Sequence, residues 1–325
     1  MPPQVTNVGF IGLSSRPEWS WAVAAHLPYF THSKTYTLAA LQNSSKETAQ
    51  KAIQLHNLPL DTKAYVDLIA VTIKVHLHAA AVEAAIRAGK RAVFCVWPLA
   101  RNSAEAERLT SLAKERNVRT LLGLQGRQDP ATLKAKELVE QGALGDILQT
   151  TMLVTSPWFG ATFLEAAVYG ADISNGANLV SIWAGHALDA LCFVLGESRG
   201  IQATLANNRP RVVVTDGEGK SKGEIEKTAH DHLSVVGRLP GGGVATAICQ
   251  GGMSQVDKNF FWKITGTKGN IQGFPPTVKF VKAEPGAVLE VVEVDEVKGF
   301  SDNTGKAWEA FAGGDLGKRR ILRLR

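Results

Sequence analysis

The chain has few cysteines and no long uninterrupted apolar run, and each shortage removes a class of protein. Cys95, Cys192 and Cys249 are widely spaced and odd in number. They form neither a disulfide framework nor a CxxC metal pattern, so no metal site is expected. No apolar run approaches the ~20 residues of a bilayer span, which sets membrane attachment aside. The N-terminal residues run straight into the strand-like Val8–Ile11 with no basic stretch ahead of it, unlike a secretory leader. A reducing, cytoplasmic setting is expected. Asn43-Ser44-Ser45 has the form of a glycosylation acceptor, which carries no meaning there. GxSxG, HExxH, Walker-loop and paired-carboxylate patterns are missing as well, so the chemistries those patterns carry are not expected.

What is present is ordinary globular composition, 45% hydrophobic and 20% charged over 325 residues, enough for two domains. The net charge of +6 is concentrated at one end, where Lys318, Arg319, Arg320, Arg323 and Arg325 crowd together. Without them the body is close to neutral. That tail reads either as a solvated end or as a contact for an acidic partner, and no nucleic-acid-binding domain is expected.

The first ~145 residues alternate apolar runs with helical periodicity. Strands are expected at Val8–Ile11, Tyr36–Leu41, Leu68–Thr72, Arg91–Cys95 and Arg119–Leu124. Helices are expected at Trp19–Tyr29, Lys46–His56, His78–Ala88, Ser103–Arg116 and Pro130–Glu140. Short links between them call for a doubly wound parallel sheet with ligands at the strands' carboxyl ends. Beyond Gly145 the pattern changes to a strand at Ile147–Val154 and a long apolar helix at Asn178–Leu195. Strand-like runs come next at Gln202–Ala206, Val212–Thr215, His232–Leu239, Val244–Cys249, Phe260–Gly266, Val278–Val281 and Val288–Val294. The fold class is therefore α/β: a Rossmann-type domain over residues 1–126, then an α+β domain over 127–325 with a mostly antiparallel sheet. A closing helix at Gly305–Ala312 is expected to pack back on the first domain.

Val8-Gly9-Phe10-Ile11-Gly12-Leu13-Ser14 puts glycine where the first strand ends, so that a tight turn can bring backbone N–H groups to a pyrophosphate. The further glycines of GxGxxG are missing; the turn continues Ser15-Arg16-Pro17-Glu18-Trp19. Gly12, Leu13, Ser14, Ser15 and Trp19 are the expected phosphate-side contacts. After the second strand, where an acid holds the ribose of NAD, stand Asn43, Ser44, Ser45 and Lys46. Two hydroxyls and a lysine favour the ribose phosphate of NADP over NAD; alternatively, Ser44 or Ser45 caps the next helix. Thr72, Ile73 and His76 after the third strand, with Trp97, Pro98 and Gln125, complete the expected cofactor set.

Gly89-Lys90-Arg91-Ala92-Val93-Phe94-Cys95-Val96-Trp97-Pro98-Leu99-Ala100 resembles the fourth-strand motif of the glucose–fructose oxidoreductase, inositol dehydrogenase and MocA family. Leu122 through Arg127 and Gly142 through Ile147 resemble its domain-junction segments. Gly176-Ala177-Asn178 and Gly185-His186-Ala187-Leu188-Asp189 resemble its second-domain helix, and Gly266 through Ile271 a late sheet turn. Within the family the chain is most similar to fungal proteins like the yeast galactose-pathway repressor, which binds a dinucleotide without being a dehydrogenase. The resemblance implies NAD(P) binding, a small-molecule substrate or ligand, and a homodimer or higher homo-oligomer formed through the second-domain sheet.

The same resemblance marks departures. Family enzymes commonly read Glu-Lys-Pro where this chain has Val96-Trp97-Pro98, and the lysine assists proton movement during hydride transfer. Tryptophan stacks but does not titrate. The acid usual four residues before the histidine is replaced by Ile182, while His186 is kept. The segment between His56 and Asp67 is shorter than usual, and Asp315–Arg325 has no clear counterpart. Lys74 reads as a replacement acid or as a surface lysine beginning a helix. His186 and Asp189 read as an acid–base pair or as a satisfied helix histidine with its neighbour; Tyr169 and Asp172 are expected to line the cleft. The functions left open are an NAD(P)-dependent oxidoreductase, most simply a reductase, a ligand-sensing regulator, and a redox-neutral cyclase or lyase.

Overall fold

The computed structural model describes residues 5–15, 20–59, 66–255, 259–274 and 277–313. The chain divides into two compact units, Met1–Gln125 with Lys298–Arg325, and Gly126–Val297. The second unit is thus an insertion in the first, and the closing segment belongs to the first.

The first unit holds a five-stranded parallel sheet in the order β2-β1-β3-β4-β5. Its strands are β1 (Thr6–Ile11), β2 (Tyr36–Gln42), β3 (Leu68–Val71), β4 (Ala92–Val96) and β5 (Arg119–Gly123). They are rich in Val, Ile, Leu, Phe and Ala because helices cover both faces. Between β1 and β2 a π-helical turn, Ala22–His26, runs into α1 (Leu27–Phe30). The remaining crossovers carry α2 (Lys46–Leu55), α3 (His78–Arg87) and α4 (Ser103–Glu115). These strands, and α2 to α4, lie within two residues of their predicted bounds. The strand order reverses between β1 and β3, which opens the crevice where open α/β sheets take ligands.

The closing helix runs from Phe300 to Ala312, five residues earlier than predicted. Gly305 has the look of a boundary, yet it lies inside the helix because a Cβ there would come within 2.9 Å of the Tyr29 ring. Its small size sets how closely the helix approaches. The helix sinks Trp308, fully buried, into the sheet's apolar cluster. The indole stacks on Phe94 at 4.5 Å, and its Nε1–H donates to His26 Nδ1 at 3.1 Å.

The second unit has an eight-stranded sheet ordered β16-β15-β14-β13-β6-β12-β11-β8 and a three-stranded sheet ordered β10-β9-β7. Its first helix, α5 (Pro130–Glu140), precedes β6 (Ile147–Ser156) and β7 (Thr162–Leu164). After α6 (Gly185–Leu195) come β8 (Arg199–Ala206), β9 (Arg211–Thr215), β10 (Ser221–Glu226), β11 (His232–Arg238) and β12 (Val244–Gly251). The last four are β13 (Phe260–Gly266), β14 (Gly269–Phe274), β15 (Thr277–Lys282) and β16 (Glu290–Val292). The sheet is antiparallel apart from the β6–β12 pair. Strands β7, β10 and β14 have no counterpart among the expected strands: β7 is three residues long, β10 (Ser-Lys-Gly-Glu-Ile-Glu) is largely exposed, and β14 begins at a glycine turn.

Ala131 and Ala135 of α5 pack with Ala187, Leu191 and Val194 of α6 on Met152, Ala247, Cys249 and Ile264 of the sheet. Asn178 caps the π-helical segment Leu179–Ala184, which leads into α6. By length and composition the helical stretch Ile173–Leu195 could cross a membrane, which corrects the expectation that no such run exists. Here part of it forms the core against the sheet, and it carries the ion-paired Asp189.

The buried aromatic cluster has two measurable consequences. Trp308→Ala should cost about 3–5 kcal/mol in urea unfolding, the range for emptying a core tryptophan site. Burial lowers the His26 pKa to about 3, so between pH 6.5 and that value the unfolded chain binds a proton that the folded one does not. The melting temperature should therefore fall as pH drops from 6.5 to 5, and less steeply in a His26→Gln variant.

Candidate functional site

The turn after β1 is built around Gly12, whose φ of +98° favours glycine. A Cβ there would stand 3.0 Å from the Thr72 carbonyl oxygen. Thr72 fixes this approach: its N–H donates to Ile11 O, and its hydroxyl lies 3.0 Å from both Ile11 O and Gly12 O. The ends of β1 and β3 are thus drawn together at the switch point, too closely for any side chain at position 12, as a tight strand-to-helix turn of a dinucleotide fold requires. The N–H groups of Gly12 and Leu13, expected to face the pyrophosphate, are instead turned inward, to Gln42 O at 2.9 Å and Asn43 Oδ1 at 3.1 Å. Of the other expected phosphate-side residues, Ser14 and Ser15 follow in the same turn, and Trp19 lies outside the described residues.

Asn43 occupies the ribose-acid position and is already engaged. Its Nδ2 donates to Leu13 O at 2.8 Å and Thr48 O at 3.2 Å while Oδ1 accepts from Leu13 N–H. It clamps the glycine turn to the end of β2. Ser45 is the N-cap of α2 in a capping box with Thr48, the alternative to a phosphate contact. Ser44 and Lys46 are exposed beside it, as is Glu47, an acid in the first helical turn that the sequence pattern does not single out. Glu47 is held below the ordinary carboxylate range by its backbone hydrogen bond and the Ser45 hydroxyl.

After β3, Ile73 leads to exposed Lys74, which begins the short 3₁₀ turn Val75–Leu77 containing His76. His78, also unflagged as a site residue, is fully buried between two carbonyls: Nδ1 is 2.7 Å from Pro98 O and Nε2 2.9 Å from Ile73 O. It ties the β3 end to the β4 end, where the Trp97–Pro98 peptide is cis. Burial lowers its pKa, and a neutral ring donates to only one of the two carbonyls. Gln125, half-buried, opens the 3₁₀ turn after β5.

In the second unit Asp189 accepts a bidentate pair from Arg127, Nη2 at 2.5 Å and Nε at 2.8 Å, with little exposure on either side chain. The carboxylate expected to orient His186 is thus neutralised by a guanidinium. His186 lies in the first turn of α6, and burial pushes its pKa down to about 4. It is neutral at pH 7 and, with its pKa pushed so far down, a weak proton acceptor suited to hydrogen bonding rather than to general-base work. Burial raises the Tyr169 pKa and keeps the phenol protonated. Asp172 is exposed and caps the turn Ile173–Asn175.

Comparison with known proteins places this geometry. Residues 6–124 match the oxidoreductase family with an NAD-binding Rossmann fold, and residues 130–272 match the Gal80p C-terminal domain. The dehydrogenase aclE of Aspergillus oryzae is 34% identical over 296 residues, 87% of this chain and 80% of that protein. The chain belongs to the Gfo/Idh/MocA family. The galactose/lactose metabolism regulatory protein GAL80 of Kluyveromyces lactis is 32% identical over 82% of this chain, which spans 63% of that protein's length. A crystal structure of a super-repressor mutant of Gal80p from Saccharomyces cerevisiae superposes with a TM-score of 0.86 at 26% identity, covering 99% of this chain and 87% of that one.

As a family member the chain keeps the parallel NAD-binding type of sheet and the helix histidine His186. It replaces the usual lysine by Trp97 and the usual acid by Ile182. Asn43 gives the sharpest test of the crevice. Asn43→Asp installs the common ribose-binding acid but removes both Nδ2 donations and sets a carboxylate against Leu13 O. Stability should fall by about 1–3 kcal/mol in thermal or urea unfolding. A gain in NADH affinity without that loss would show that the clamp is dispensable.

Proposed function

We propose that the protein is an NAD(P)-dependent oxidoreductase, acting in the cytoplasm as a reductase of a small metabolite and preferring NADP. The observation that carries this reading is the close-packed Gly12–Thr72 turn at the sheet's switch point, within residues matching an NAD-binding oxidoreductase family. The dinucleotide, when bound, supplies hydride. Trp97 offers a flat ring and one N–H, so it orients a ring but relays no proton. Neutral His186 is suited to positioning, and Lys74 of the first unit and Tyr169 of the second, its phenol kept protonated by burial, are each taken as a candidate proton donor. Reduction of an activated C=C or C=N bond asks less of such a donor than alcohol oxidation does. Ser44 and Lys46 support NADP; Glu47 opposes it electrostatically.

A regulatory reading rests on a different observation, the Gal80p C-terminal domain match together with Trp97. In that reading the dinucleotide tunes contact with a partner protein. Transfer of deuterium from C4-labelled NADPH into metabolites of a source-cell extract separates the two. Label in a product, reduced at least tenfold by Lys74→Ala or His186→Ala, supports the reductase; NADPH binding with no label moved favours the regulator or redox-neutral chemistry.

Cofactor preference is tested by titration. Lys46→Ala should weaken NADPH binding about tenfold, one charge-assisted contact, and leave NADH within twofold; Glu47→Gln should favour NADPH. A homodimer is also proposed, through the sheet face opposite α5 and α6, where pairing register sets Leu153, Val236, Ile248 and Phe261 on one side. Ile248→Arg should shift the mass seen by light scattering from dimer to monomer.

A further inference from the structure

In the second unit the loops joining β8 to β9 and β10 to β11 border a cavity of about 630 Å³. Four of the residues lining it are charged, Arg209, Arg211 and Lys227 against Glu226. Their partners decide which of these charges a ligand can use. Lys227 is buried and its ammonium is spent: it donates to Asn207 Oδ1, to Ala229 O at 2.7 Å and to Asp231 Oδ2 at 3.4 Å. Three protons thus meet three acceptors, and the buried Asp231 carboxylate balances the charge.

The same pair fixes the cavity wall. Asp231 accepts the backbone N–H groups of Asn208 and Arg209, both at 2.9 Å. Lys227 N–H donates to Pro210 O at 2.8 Å, and the Asn207 amide donates to Lys227 O at 2.6 Å. Lys227 and Asp231 are therefore a frame for residues 207–211 rather than ligand contacts. The two arginines on that frame are not spent. Arg209 Nη1 lies 3.3 Å from Gly251 O and 3.8 Å from Asp231 Oδ2, while its Nε and Nη2 have no hydrogen bond among the described residues. Arg211 is exposed and stands opposite Glu226 in the β9–β10 register, yet among the described residues it makes no ion pair.

We propose that this cavity is a second small-molecule site, built from second-unit residues alone, where Arg209 and Arg211 grip the oxyanion group of a small organic ligand, a phosphate or a carboxylate. A guanidinium stays charged at any physiological pH and presents paired N–H groups that match either oxyanion. With the backbone already pinned, only the arginine side chains remain to be ordered on binding. The volume falls within the roughly 300–1,000 Å³ of small-molecule sites. A cation is disfavoured, because Glu226 is the one carboxylate lining the cavity and faces two available guanidiniums. The proposal is independent of the oxidoreductase reading.

The test titrates the full chain by calorimetry at low salt with inorganic pyrophosphate and with succinate, glycerol serving as the neutral control. At least one anion should bind and glycerol should not. Preference for pyrophosphate marks a phosphate-bearing ligand, and preference for succinate a carboxylate. Arg211→Gln should weaken the bound anion about tenfold, the loss of one charge-assisted contact. Glu226→Gln should tighten it about threefold by removing the opposing charge. Pyrophosphate also suits the turn after β1, so the variants assign the site: affinity unchanged in Arg211→Gln, or weakened in Glu226→Gln, overturns the proposal. Absence of binding by both anions overturns it as well. Arg209→Gln should match Arg211→Gln; should it fail to fold by circular dichroism, the two exposed positions carry the test.

Discussion

The return of the chain to its first unit, with Trp308 seated against Phe94 and hydrogen-bonded to His26, is the constraint on which the rest of the topology depends. Because a buried indole needs both an apolar slot and a partner for its N–H, the parallel sheet is complete only when residues beyond 298 come back to it. The second unit is therefore an insertion whose two ends both attach to the first. Glu309 reinforces the arrangement by accepting from the Tyr29 hydroxyl, and the Arg119 guanidinium does so by donating to Phe311 O at 2.8 Å while lying over its ring.

With the sheet closed, the loops at its carboxyl edge are held by side chains that reach backbone carbonyls. Thr72 secures the Gly12 turn, Asn43 joins that turn to β2, His56 meets Ser14 O at 3.0 Å, and His78 links β3 to β4. A loop poor in glycine is thus shaped by polar side chains that stand far away in sequence, which is how the crevice survives without the full GxGxxG fingerprint. The second unit shows the same economy: Arg127 neutralises Asp189, and Lys227, buried beside Asp231, is matched by Asn207 and the Ala229 carbonyl.

Much of the fold is legible in the residues. Strands buried on both faces read as continuous apolar runs, and α2, α4 and α5 announce themselves through Ser45, Asn102 and Asp129, whose side chains cap their first turns. Short strands such as Thr162–Leu164, and the charged β10, are illegible because cross-strand partners, not their own periodicity, make them strands. Glu47, His56 and His78 likewise escape notice as parts of the crevice. Nothing in the local pattern distinguishes a histidine that staples two loops from one on an ordinary helix face.

The sequence by itself determined the alternation of strand and helix, the glycine at the end of β1, the family, and the loss of a titratable group at Trp97 and Ile182. These are properties of residue type and spacing, which no packing changes. Only the tertiary structure decided that Asn43 is a clamp, that Asp189 is neutralised by Arg127, and that Asp231 holds the backbone at Arg209. Each of those depends on a partner between 22 and 62 positions away. Hydrogen bonds and burial act through space, so a side chain's chemistry is settled by what the fold brings within about 3 Å of it.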